Sequence, residues 1–146
     1  MNIPGMLEEQ LRARNVIPFV GAGVSVTVKD RKTGTPLFPS WRKLLEQAAR
    51  YLEDQKKTPY ANVVRSLLEL DKPDEYLEAA RRAREGLGSV WSKFLKEQLD
   101  LSHDRADVAS LNLARAIWGL GSDLLITTNY DRVLHWACPQ QDDLHT

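Results

Sequence analysis

Cysteine occurs once, at Cys138, and the formal charges cancel, with 20 Lys and Arg against 20 Asp and Glu. A single thiol excludes an internal disulfide framework and any zinc site that needs several cysteines, so no metal is expected and a reducing compartment fits best. Zero net charge leaves no overall field to gather nucleic acid or an anionic membrane, and neither is expected as a partner. Also missing is any apolar run near the roughly 18 residues of a membrane span. Glu8 and Glu9, close behind Met6 and Leu7, break the basic-then-apolar order of a signal peptide. The expected location is therefore cytoplasmic. There is no repeat and no low-complexity tract. A Gly-x-x-x-x-Gly-Lys-Ser/Thr phosphate loop is absent, and Val26 stands where the third glycine of Gly-x-Gly-x-x-Gly would be.

An apolar fraction of 42% beside 27% charged residues is ordinary for a chain that buries a core. Two segments about a hundred residues apart run an apolar strand straight into small and polar residues. They are Val16-Ile-Pro-Phe-Val-Gly-Ala-Gly-Val-Ser25 and Leu124-Leu-Ile-Thr-Thr-Asn-Tyr-Asp131. Continuous apolar runs of this length predict strands buried on both faces of a parallel sheet. Pro18 gives up a ladder donor, so it must lie near an edge or where no N–H is needed. Residues 29–39 are polar, hold a Gly and two Pro, and predict a mobile loop.

Ser40 is a good N-cap. Trp41, Leu44, Leu45, Ala48 and Leu52 follow at spacings of three and four, a core stripe on a helix ending near Lys57. Further helices are predicted from Pro59, from Asp71-Lys-Pro-Asp until Gly86 and Gly88, over 89–101, over 105–118 and over 130–137. Arg81, Arg82 and Arg84 read as a solvated face. The order is helix, strand, long helical insertion, strand, helix, which predicts α/β with a parallel sheet. Two strands fall short of the about five or six of a usual sheet. The expectation is thus an incomplete Rossmann-like parallel sheet with a large helical insertion. Residues 1–146 would form the N-terminal part of one domain, with strand and loop at 16–25, insertion at 40–118, and strand and turn at 123–131.

Gly21-Ala-Gly-Val-Ser25 ends its strand with two glycines, which permit positive φ and a close approach of backbone to phosphate. Gly-x-Gly-x-Ser arises by accident in roughly one chain in twenty of this length, so its meaning comes from its place after a strand. Thr127-Thr-Asn-Tyr-Asp131 has a simple structural reading, in which Thr128 or Asn129 caps the next helix and Asp131 answers its dipole. That reading does not need both a carboxamide and a carboxylate.

Together Gly21-Ala-Gly-Val-Ser25, Pro39-Ser-Trp-Arg42 and Thr127-Thr-Asn-Tyr-Asp131 resemble the motifs of the sirtuin superfamily, in the same order. They are more similar to its bacterial sirtuin-like branch, found in antiphage defence proteins, than to the protein deacylases. With the apolar runs that lead into them, these motifs cover about a sixth of the chain. It implies NAD as ligand or substrate, with Gly21, Ala22, Gly23 and Ser25 on the pyrophosphate and ribose and Arg42 retained from the second motif. It places Asn129 at the nicotinamide ribose as the catalytic group, and Asp131 on the nicotinamide amide. Arg42 and Thr128 are also implied to bind the cofactor, with Thr128 standing in for the glutamine of the deacylases. The family's catalytic histidine follows the Asn-Tyr-Asp turn by some tens of residues. His103, His135 and His145 read instead as solvated or supporting groups, so the base is not expected in this chain.

The resemblance therefore implies part of a domain whose complete form hydrolyses NAD to nicotinamide and ADP-ribose, with this chain alone inactive. The alternatives are an NAD-dependent protein deacylase and a non-catalytic nucleotide-sensing or assembly module. Self-association or further domains of a larger parent protein are the other expected partners.

Overall fold

The computed structural model describes residues 4–139, and His145 lies outside the described residues. In chain order the helices and strands are α1 (Gly5–Arg12), β1 (Phe19–Val20), α2 (Gly23–Val26), α3 (Trp41–Asp54), α4 (Thr58–Glu69), α5 (Pro73–Leu87), α6 (Trp91–Leu99), α7 (Asn112–Trp118), β2 (Ile126–Thr127) and α8 (Val133–Trp136). Short 3-10 turns stand before α6 and α7. The class is mixed α/β, mostly helical, with a small parallel sheet. By internal packing the chain divides into two compact units, residues 1–37 with 101–146 and residues 38–100.

The first unit holds the sheet. Phe19 pairs with Ile126 and Val20 with Thr127. The strands are shorter than the apolar runs that announce them. Pro18 stands just ahead of β1 and enters the ladder through its carbonyl alone, which accepts from Ile126 N at 3.0 Å. The expectation of strands buried on both faces is corrected. Val20 is buried, but Phe19 is 69% exposed and Ile126 43%, with Ile17 and Leu124 also exposed. Strand alternation and the register put these four on one face, and that face is open to solvent. An unbroken apolar run cannot say which of its faces is covered.

The polar loop after α2 is tied at several points. Asp30 is nearly buried, and its Oδ1 accepts from the N–H groups of Lys32 (2.9 Å) and Thr33 (3.2 Å). Its Oδ2 accepts from Arg105 at 3.0 Å. The Lys32 N–H foremost, then the Arg105 guanidinium, hold this carboxyl below the usual range. Bridges from Lys29 to Pro36 and from Asp30 to Ala106 complete the tie.

Residues 101–118 belong to this unit and not to a helical insertion running to 118. Asp107 N donates to Lys29 O at 2.8 Å, Lys29 N donates to Ser110 Oγ at 3.0 Å, and Trp118 Nε1 donates to Leu134 O at 2.8 Å. The helix expected over 105–118 is reduced to α7. Ahead of it, the Ser102 and Asp107 side chains accept from Asp104 N and Ala109 N, and such local bonds compete with helix.

The second unit is all helix. Leu44, Leu45, Ala48, Ala49 and Leu52 of α3 pack with Ala61, Val64 and Leu68 of α4, Ala79, Ala83 and Leu87 of α5, and Phe94 of α6. Tyr51 meets the edge of Phe94, and Trp91 stacks on it, each with centroids 5.7 Å apart. Ser40 caps α3 by accepting from Lys43 N at 3.3 Å, as its position predicts. Gly88 closes α5 at φ +58°, a backbone state suited to glycine. Trp41 departs from the core stripe. It is 53% exposed and lines an apolar surface hollow of about 360 Å³ with Pro73, Tyr76 and Leu77 of α5, so burial on α3 begins only at Leu44.

Candidate functional site

The carboxyl ends of β1 and β2 bring the Gly21-Ala-Gly turn and the Asn-Tyr-Asp turn within hydrogen-bonding distance. The parallel register favours this, since Val20 and Thr127 are partners, Gly21 follows the first by one residue and Asn129 follows the second by two. Thr127 makes the junction firm. Its hydroxyl donates to Val20 O at 2.9 Å and accepts from Asn129 N at 3.0 Å.

Beyond the junction, three side chains form a chain of bonds. Asn129 Nδ2 donates to Gly21 O at 3.1 Å and to Ser25 Oγ at 3.2 Å. Ser25 Oγ donates in turn to Asp131 Oδ2 at 2.7 Å, a charge-assisted bond. Asp131 Oδ1 accepts from Val133 N at 3.0 Å, so this carboxylate, and neither Thr128 nor Asn129, caps the helix that follows. The helix expected over 130–137 consequently starts only at Val133. Ser25 is 4% exposed, whereas Asn129 and Asp131 are half-buried. Thr128 is exposed, and its N–H donates to Val20 O at 3.4 Å.

Gly21, Ala22 and Gly23 are all exposed. The positive φ that these glycines permit is not used, for the positive-φ glycines among the described residues are Gly34, Gly88 and Gly121. A Cβ added at Gly21 or Gly23 would meet nothing within 4 Å. The N–H groups of Ala22 and Gly23 have no partner among the described residues, while Val24 N and Ser25 N return to Gly21 O and Ala22 O. The turn thus presents bare amides and empty space where side chains would stand.

Arg42 lies in the helical unit. Its guanidinium donates to Glu46 Oε1 at 3.0 Å, and to Leu68 O and Asp71 Oδ1, each at 3.2 Å. His103 is exposed, with its ring tilted against Trp136 at 5.6 Å. Neither His103 nor His135 is hydrogen-bonded to Ser25, Asn129 or Asp131.

Sequence reasoning missed Thr127, whose place level with Val20 is set by the pairing register, which no local pattern announces. It also missed the commitment of Ser25 to Asp131, because nothing local announces a bond between residues 106 positions apart.

No family model matches the chain, and neither a curated protein nor a solved structure matches it. Among the described residues no helix is long and apolar enough to cross a membrane.

Proposed function

We propose that the two strand ends hold NAD, as the dinucleotide-holding part of a sirtuin-like domain with a Rossmann-like sheet. The complete activity in this reading is hydrolysis of NAD to nicotinamide and ADP-ribose, in antiphage defence. One observation carries it: Asn129 Nδ2 bonds to Gly21 O and to Ser25 Oγ, so the two motifs that suggest a dinucleotide meet in one place. Ligands of open α/β sheets bind outside the carboxyl ends of the strands, which is where these motifs stand.

The groups at the site suit the parts of a dinucleotide. Free N–H groups at Ala22 and Gly23 suit diphosphate oxygens, and two glycines with empty space at Cβ allow the backbone to be approached. Asn129 Oδ1 accepts from no group among the described residues and suits a ribose hydroxyl or a water. Asp131 retains lone pairs beyond the two bonds it accepts and suits a carboxamide N–H. Breaking the nicotinamide–ribose bond develops positive charge on the sugar carbon, so fixed acceptors around the sugar favour that step.

Titrating NAD into the 146-residue chain by calorimetry tests the reading. Saturable binding that Asn129→Ala weakens by at least about tenfold, the effect of losing one well-placed hydrogen bond to a ligand, supports it. No saturable heat with wild type at millimolar NAD overturns it. Nicotinamide release, measured on the larger parent protein that this reading requires because the chain alone is expected to be inactive, assigns the chemistry. Release with NAD alone supports hydrolysis, release only with an acetylated peptide assigns deacylation, and binding without release assigns a nucleotide sensor.

A further inference from the structure

The geometry points to Ser25 as a positioning residue that fixes the amide of Asn129 so that its oxygen, and not its nitrogen, faces the ligand. The identity of that ligand rests on the NAD reading, but the latch itself does not.

The directions of the hydrogen bonds around Asn129 fix its amide. A carboxamide offers two donors at one end and an acceptor at the other, and which end points where is decided by its partners. Gly21 O is a carbonyl and can only accept, so the atom of Asn129 that meets it is Nδ2. The same Nδ2 reaches Ser25 Oγ at 3.2 Å, and a hydroxyl carries a single proton. That proton is drawn to the carboxylate of Asp131 at 2.7 Å, which leaves the Ser25 oxygen free to accept. The serine therefore relays the charge of Asp131 into a fixed orientation of Asn129. With both Nδ2 protons engaged, Asn129 presents Oδ1 alone, and the open side of the site is an acceptor. Such a surface selects a group that donates, such as a sugar hydroxyl or a water.

Burial makes the relay stiff. Ser25 is 4% exposed on α2, between buried Val24 and the half-buried acid, so water cannot readily replace either partner. Ser25 is thus assigned away from direct contact with ligand. It acts through Asn129 and Asp131.

The test reads the Asn129 side-chain amide by NMR in the full chain, first without ligand. In wild type its two protons are expected to be shifted from free-amide values and slow to exchange with solvent. Ser25→Ala should move both toward free-amide behaviour while the remaining backbone spectrum stays dispersed, and Ser25→Thr, which keeps the hydroxyl, should restore them. Asp131→Asn should produce a similar change, since an amide in place of the acid no longer compels the serine to donate. An Asn129 amide unchanged in Ser25→Ala overturns the latch. Ser25→Ala should also weaken NAD binding by about tenfold, with Ser25→Thr recovering it. An amide that responds as described in a protein that does not bind NAD upholds the latch and removes the NAD reading instead.

Discussion

Gly21 and Gly23 occupy positions where the fold itself does not ask for glycine. Neither has positive φ, and at neither would a Cβ touch another atom. A residue that loses more conformational freedom on folding than any other is therefore used where it brings the architecture no visible benefit. The benefit proposed is access to the main chain. Gly23→Ala is accordingly expected to leave stability within about 0.5 kcal/mol of wild type or to raise it slightly. If the proposed NAD reading holds, the same variant should bind NAD at least about tenfold more weakly, because the added methyl would stand where that reading puts the diphosphate. Thermal melting and calorimetry on one sample measure both. A variant that melts as wild type and binds as wild type would remove the glycine turn from the site. Asp131 illustrates the opposite economy, in which one carboxylate does two jobs: Oδ1 caps α8 and Oδ2 orders Ser25.

Elements show which short-range rules were followed. α3 begins where Ser40 says it should, and α5 begins at Pro73 and stops at Gly88. Gly86, which the sequence pattern places in that stop, lies inside α5 and serves packing. A Cβ there would fall 2.7 Å from Leu52 Cδ2 and 2.9 Å from Tyr60 Cγ, with Tyr60 Cβ at 3.0 Å. Gly86→Ala gains roughly 1 kcal/mol in helix propensity, but overpacking in a filled interface costs about 1–3 kcal/mol. The root of Tyr60 moves only if the α4 backbone moves, so the clash is expected to win and the melting temperature to fall. A thermal melt of Gly86→Ala that matches or exceeds wild type would show that α3, α4 and α5 are less tightly meshed. The strands are the elements least like their expectation. Their residues are apolar, as a buried run should be, but only two residues of each pair in the ladder, and one face is bare.

At the scale of the whole molecule, residues 38–100 have a core of their own. Its largest contributions come from Leu45 and Leu52 of α3, Leu87 of α5 and Phe94 of α6, all less than 3% exposed. Sixty-odd residues with a continuous apolar core lie in the size range where a domain folds alone with small margin. The isolated peptide 38–100 is therefore expected to show helical circular dichroism and a cooperative melt. Phe94→Ala in it should cost about 3–5 kcal/mol and abolish that cooperativity. A peptide without helix would mean that this unit depends on residues outside it.

The sequence by itself determined the helices with strong stripes and clear caps, the parallel character of the sheet, and the two turns that carry the candidate site. These follow from periodicity, capping and the composition at strand ends, all of which act over a few residues. Only the tertiary structure decided that the helical unit ends at Asp100, that Phe19 and Ile126 face solvent, that Trp41 is surface, and that Ser25 answers to Asp131. The reason is one of range. The direction of a hydrogen bond, and the cover over one face of a strand, are set by groups about a hundred positions away, and no local pattern holds that information.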